Sequence, residues 1–199
     1  MKITTILLSC AAFAALSATA SAALMTYTQT GFLSGSLDGT SFTNAAVTLR
    51  TTADTANVQY ILLDGVMPFW TNAGPTTIDI AGFETATFNG SHVFGVFNVN
   101  YSAFTSGTAG VGFADLTNRN GILGNFQTTE LNYALATAQT FTGAANNTTN
   151  ALFSTTSGDL MVSSASGNAT FTAAVPEPSA LALLGLGTVG LVARRRRVA

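Results

Sequence analysis

Between residues 23 and 174, apolar side chains recur at every second position in short bursts separated by turn residues. Ala45, Val47 and Leu49 alternate with Asn44, Thr48 and Arg50, interrupted by Ala46. Ile78 and Ile80 flank Asp79, Leu160 and Val162 alternate with Asp159 and Ser163, and Phe171 sits between Thr170 and Thr172. Val93, Phe97, Val99 and Tyr101 fall on one face of a strand, with Asn98, Asn100 and Ser102 opposite. Successive side chains of a strand point to opposite faces, so each burst predicts a half-buried strand. Asp38-Gly39, Asp64-Gly65, Asn89-Gly90 and Asn120-Gly121 read as turns between them. The best hairpin runs through residues 83–88, the Asn89-Gly90 turn and residues 92–101. Leu131, Ala134, Leu135 and Ala138 have helical spacing and predict one short helix. Residues 142–158, polar and rich in Asn and Thr, predict a long surface loop. No linker or long repeat divides the region. The expected fold is all-β, a single antiparallel β-sandwich or jelly-roll-like domain.

The two ends follow other rules. Lys2 precedes an apolar run from Ile3 to about Leu16, and small residues follow to Ala23. This is the layout of a secretory signal peptide over residues 1–22, expected to enter the membrane as a helix and to engage the Sec translocon and signal peptidase. Ala20, Ser21, Ala22 and Ala23 form the cleavage region, with cuts expected before Ser21 or before Ala23. A lipobox reading of Leu7-Leu8-Ser9-Cys10 is the minor alternative, because the apolar run before Cys10 is very short.

Residues 175–199 hold Pro176-Glu177-Pro178, then an apolar run of 14 residues at 180–193, then Arg194, Arg195, Arg196 and Arg197. Prolines favour an extended, accessible backbone. The apolar run spans about 21 Å as a helix at 1.5 Å per residue, a short transmembrane segment. The arginines are costly to move across a bilayer and should stay cytoplasmic. These three parts, in this order, resemble the PEP-CTERM sorting signal. The resemblance implies an exosortase partner, a membrane transpeptidase-like protease, and export to the surface in Gram-negative-type bacteria, often alongside exopolysaccharide production. It implies a transient inner-membrane anchor followed by release to the cell surface or beyond. An ordinary anchor that is never cleaved is the alternative.

Composition narrows the remaining chemistry. Charged residues are 8% of the chain, against about 25% in an average soluble protein. Residues 23–174 carry two basic side chains, Arg50 and Arg119, against eight acidic ones, a net charge of minus six. Such a surface repels phosphate backbones, so no nucleic acid is an expected partner. Cys10, the single cysteine, lies in the leader, leaving no disulfide and no cysteine nucleophile in the domain.

His92, the single histidine, follows the Asn89-Gly90-Ser91 turn and reads as a solvent-facing strand residue. Its neighbour Ser91 would point to the opposite face, a poor nucleophile–base pair. Asp79 and Glu84 are the closest acidic pair near predicted strands, but both read as solvent-facing. Asp38, Asp64 and Asp159 sit beside Gly, where turn formation explains them, and none falls in a calcium-loop pattern. Trp70, after Pro68-Phe69, reads as a loop aromatic, a buried anchor more readily than a sugar-stacking platform. No catalytic residue, metal site or cofactor is expected. The leading reading is a non-enzymatic envelope or extracellular-matrix protein. A carbohydrate-binding module for exopolysaccharide comes second, and a secreted hydrolase third.

Overall fold

The computed structural model describes residues 23–63, 67–90, 92–98, 109–118, 120–127, 133–147 and 150–176. Within them the chain forms twelve strands: β1 (Leu24–Leu37), β2 (Thr40–Asp54), β3 (Gln59–Leu63), β4 (Met67–Ala73), β5 (Thr76–Ile80) and β6 (Ala86–Thr87), then β7 (Val93–Asn98), β8 (Ala109–Asp115), β9 (Asn120–Gln127), β10 (Gln139–Asn146), β11 (Ala151–Thr155) and β12 (Gly158–Ala174). A three-residue 3-10 turn, Thr55–Asn57, is capped by the Asp54 carboxylate, which accepts from the Ala56 N–H at 2.8 Å. The predicted all-β class and antiparallel pairing hold.

All twelve strands belong to one sheet, in the order β3-β4-β7-β8-β9-β10-β12-β1-β2-β5-β6, with β11 also beside β12. Two stacked sheets therefore have no counterpart in the hydrogen bonding; the sheet curls instead. Four strands separate β7 from β1, yet Phe94 of β7 and Tyr27 of β1 hold their rings 5.9 Å apart. Asn72 of β4 donates to the Asp54 carbonyl at the end of β2, at 3.1 Å. The two arms of the sheet thus wrap one core as a half-barrel. One arm closes further: Phe88 bridges Thr155, flanked by Asn89 N–H to the Ser154 carbonyl at 2.9 Å and Thr156 N–H to the Thr87 carbonyl at 2.8 Å. That tie joins β6 to β11, while at the other end of the strand order β3 is paired only with β4 among the described residues.

The inner face is apolar and aromatic. Tyr27, Phe94, Phe113, Phe153 and Phe171 are each less than 2% exposed. Burying such rings is the main stabilising term for a domain without crosslinks. Val47, Leu49, Ile78, Ile80, Leu160, Val162 and Phe171 all point inward as their alternation predicted. At the β1–β2 hairpin, Asp38 and Gly39 both take positive φ, 48° and 77°, the two-residue turn whose twist matches the flanking strands.

Several local expectations are corrected. On β7 the inward side chains are Phe94 and Val96; Val93, on the other face, is also buried. With apolar residues on both faces, period two does not identify the inner one. The hairpin across Asn89-Gly90 does not form: β6 pairs with β5, while β7 pairs with β4 and β8. The chain crosses between the arms there, because Phe88 and His92 both turn into the core. Residues 142–158 are not a long loop but contain most of β10 and all of β11, with Ala151, Phe153 and Thr155 buried at alternate positions. The predicted helix is absent at 133–138, where the backbone is irregular and Leu135 adopts φ 58°. Asn120 and Gly121 lie in β9, after the turn. Asp64-Gly65 lies outside the described residues, between the paired ends Leu63 and Met67. The expected leader helix and the 180–193 segment also lie outside them; among the described residues no helix is long and apolar enough to cross a membrane.

Candidate functional site: the tail junction and the polar interior

β12 is an interior strand, held by β1 on one side and by β10 and β11 on the other. Its ladder runs to the last residue, with Ala174 opposite Thr26 and Ala173 opposite Gln139. Val175 then leaves the sheet, 54% exposed, and Pro176 is exposed after it. Pro176 has no N–H to give a ladder, so the strand cannot continue through it. Glu177, Pro178 and Arg194 to Arg197 lie outside the described residues, as do Ala20, Ser21 and Ala22.

The other junction sits beside this one. Ala23 is pinned by two hydrogen bonds to Thr55: its N–H donates to the Thr55 hydroxyl at 3.0 Å, and its carbonyl accepts from the Thr55 N–H at 3.0 Å. Because Thr26 faces Ala174, the two ends of the domain, at Ala23 and at Ala174, lie at the same end of the sheet, on neighbouring strands.

The interior polar groups are a second cluster, and sequence reading missed most of them. The Tyr27 hydroxyl donates to the Leu135 carbonyl at 2.6 Å and accepts from Asn72 Nδ2 at 2.8 Å. Burial pushes the Tyr27 phenol above its ordinary value, against a smaller opposing effect of the Asn72 hydrogen bond. Burial likewise pushes the Tyr133 phenol up; its hydroxyl donates to the Thr137 carbonyl at 2.6 Å. Gln29 donates through Nε2 to the Leu123 carbonyl. Asn125 donates to the Phe141 carbonyl at 3.0 Å and accepts from the Val111 N–H at 3.3 Å. These amides satisfy backbone groups near the β8–β9 bulge at residues 111–113, where Leu123 takes φ 50°. The signal was present in Met25, Tyr27 and Gln29 alternating with Thr26, Thr28 and Thr30.

His92 is buried, not solvent-facing as its turn position suggested. Its ring stacks on Phe113 at 5.2 Å and 16°, beside Phe88 at 5.3 Å and Phe153 at 6.1 Å. Among the described residues Nδ1 has no hydrogen-bond partner. The imidazole thus packs among aromatic rings as a core side chain does. Asp115 sits near it. Burial raises the Asp115 carboxyl, but bonds from the Asn118 side chain and the Asn118 and Thr117 N–H groups, with the field of His92, hold it below its ordinary value. Asp79 is half-buried and accepts from the Thr85 hydroxyl; Glu84 is exposed. Trp70 is a strand residue of β4, packed partly on the core, and the Tyr60 ring lies 4.9 Å away at 58°. Among the described residues, no three His, Cys, Asp or Glu side chains gather as a metal site would need.

The family description PEP-CTERM protein-sorting motif matches residues 174–197. No curated protein and no solved structure matches the chain. The match begins at the last residue of β12 and ends at the last arginine of the cluster, so the folded domain stops where the sorting motif starts. A tail of this kind implies export, membrane anchoring and processing by an exosortase.

Proposed function

We propose, starting from a chain that carries a PEP-CTERM sorting motif, that residues 23–174 form a non-enzymatic surface or matrix module delivered by that tail. The observation that carries this reading is the junction itself. The motif begins where β12 ends, at an exposed Val175-Pro176, and the leader leaves the same end of the sheet. Both membrane-directed segments then meet one bilayer without unfolding the domain. Translocation proceeds until residues 180–193 lodge in the membrane and Arg194 to Arg197 stop further transfer. Pro176-Glu177-Pro178 is left extended at the outer interface, where an exosortase-like protease releases the domain to the surface or the exopolysaccharide matrix.

A second reading, a carbohydrate-binding module, draws support from the outer face. Thr140, Thr172 and Thr28 stand in one cross-strand row, and Thr142, Thr170, Thr30 and Thr48 in the next. Neutral hydroxyls on adjacent strands suit hydrogen bonding to uncharged glycans. The half-buried Trp70 and its tilted partner Tyr60 offer a smaller stacking surface than a flat exposed platform.

Replacing Pro176, Glu177 and Pro178 together with Ala tests the leading reading. Fractionation with an epitope in the domain should show full-length protein trapped in the inner membrane. If the variant reaches the surface with the mature mass of the parent, the motif is incidental. Glycan pull-down by the parent domain would favour the second reading.

A further inference from the structure

We infer that the open edge of the sheet, β3, is where two copies of this chain pair strand to strand. Among the described residues β3 stands last in the strand order and is hydrogen-bonded only to β4, whereas the opposite end of the sheet is tied by the Phe88–Thr155 bridge. An edge strand turns alternate N–H and C=O groups outward, and those groups call for another strand or water. Protected edges carry a charge, a proline or a bulge. β3 reads Gln59-Tyr60-Ile61-Leu62-Leu63 and has none of these; its pairing with β4 runs without a shift from Gln59 opposite Thr71 to Leu63 opposite Met67. Tyr60 and Leu62, on the same face by alternation, are each 52% exposed.

A second copy is the occupant that fits. An antiparallel pair with its two-fold axis at Ile61 uses all five residues of β3. It sets Tyr60 against Leu62 of the partner subunit, twice, as aromatic–aliphatic cross-strand pairs. A domain of net charge minus six resists self-approach, and a charge-free strand is where that resistance is weakest. The inference deepens the interaction-module reading and rests on it. Fractionation scores delivery separately, so a correctly exported monomer sinks the edge alone.

The test uses the processed protein purified from its own host, followed by sedimentation over a concentration series. The parent should dimerise reversibly. Leu62→Lys, which places a charge on the edge, should weaken the dimer by about tenfold or more, while Thr142→Lys on the outer face of β10 should not. A short bis-maleimide should link Ile61→Cys into dimers, because Cys10 precedes both expected leader cuts, and should not link Thr142→Cys. This cysteine pair also decides the matter if Leu62→Lys fails to fold. A parent that stays monomeric, an undiminished Leu62→Lys dimer, or no link through Ile61→Cys overturns the inference. So does a Tyr60–Trp70 surface that binds neutral polysaccharide as a monomer.

Discussion

Tyr27→Phe removes one oxygen and should cost the domain a large share of its stability. The Tyr27 hydroxyl sits where both arms of the curled sheet meet: it belongs to β1, donates to Leu135 and accepts from Asn72 of β4. Without it the Leu135 carbonyl loses its side-chain donor inside the core. Asn72 Nδ2 keeps the Asp54 carbonyl at 3.1 Å and is less affected. A buried polar group left unsatisfied costs about 1–3 kcal/mol, so the two losses together come to about 2–4 kcal/mol. That is a substantial part of the roughly 5–15 kcal/mol that holds a typical domain folded. Trp70 is the single tryptophan and packs partly on the core, so its fluorescence reports urea unfolding. With a slope of about 2 kcal/mol per molar urea, the midpoint should fall by about 1–2 M. Tyr133→Phe is the control. Its hydroxyl donates to Thr137, four residues on and exposed, where water substitutes, so the loss should stay below about 1 kcal/mol. The raised Tyr27 phenol adds a second readout. Its stabilising effect is whole below the ordinary tyrosine value of about 10 and is lost as pH rises through the folded value. Tyr27→Phe should flatten that alkaline decline. A midpoint shift under about 0.3 M at unchanged slope would refute the bridging role of the hydroxyl.

Two further predictions concern charge and packing. Asp115, held below its ordinary value, stabilises the fold fully above about pH 4, and that contribution drains away as the pH falls through the folded value; Asp115→Asn should flatten the acid limb of a stability-against-pH curve. Gly95 lies under the Phe69 ring, and a Cβ there would come within 2.0 Å of Phe69 Cζ, so Gly95→Ala should destabilise by about 1–3 kcal/mol through overpacking, and Gly95→Ala combined with Phe69→Leu should recover part of it.

What the sequence disclosed follows from how far each feature depends on distant residues. Val47, Leu49, Ile78 and Ile80 could be placed because one apolar face and one polar face is a local pattern. β7 could not, because Phe94 and Val96 face the core while Val93 is buried on the other side. The Thr- and Asn-rich stretch after Phe141 looked like loop because its composition is polar. It forms β10, whose partners on β12 lie about thirty residues away, as in Thr142 opposite Thr170. The turn before His92 suggested exposure, but exposure there is decided by Phe113 and Phe153, which reach it only after the sheet curls. Tyr27 and Asn72 are likewise ordinary strand residues until the two arms meet.

The sorting tail is the opposite case. A protease and a bilayer read it as a linear segment, so its proline motif, apolar run and arginine cluster are complete without any tertiary contact. Its relation to the domain is not linear. Thr26 and Ala174 are separated by nearly the whole domain, and only the β1–β12 register makes them neighbours. Had β12 lain parallel to β1, the two ends of the domain would lie at opposite ends of a strand at least fourteen residues long, about 48 Å at 3.4 Å per residue. A folded domain would then separate the two junctions by more than the thickness of a bilayer's hydrocarbon core, about 30 Å. The antiparallel pairing of first and last strands removes that separation and brings both ends of the domain to one end of the sheet.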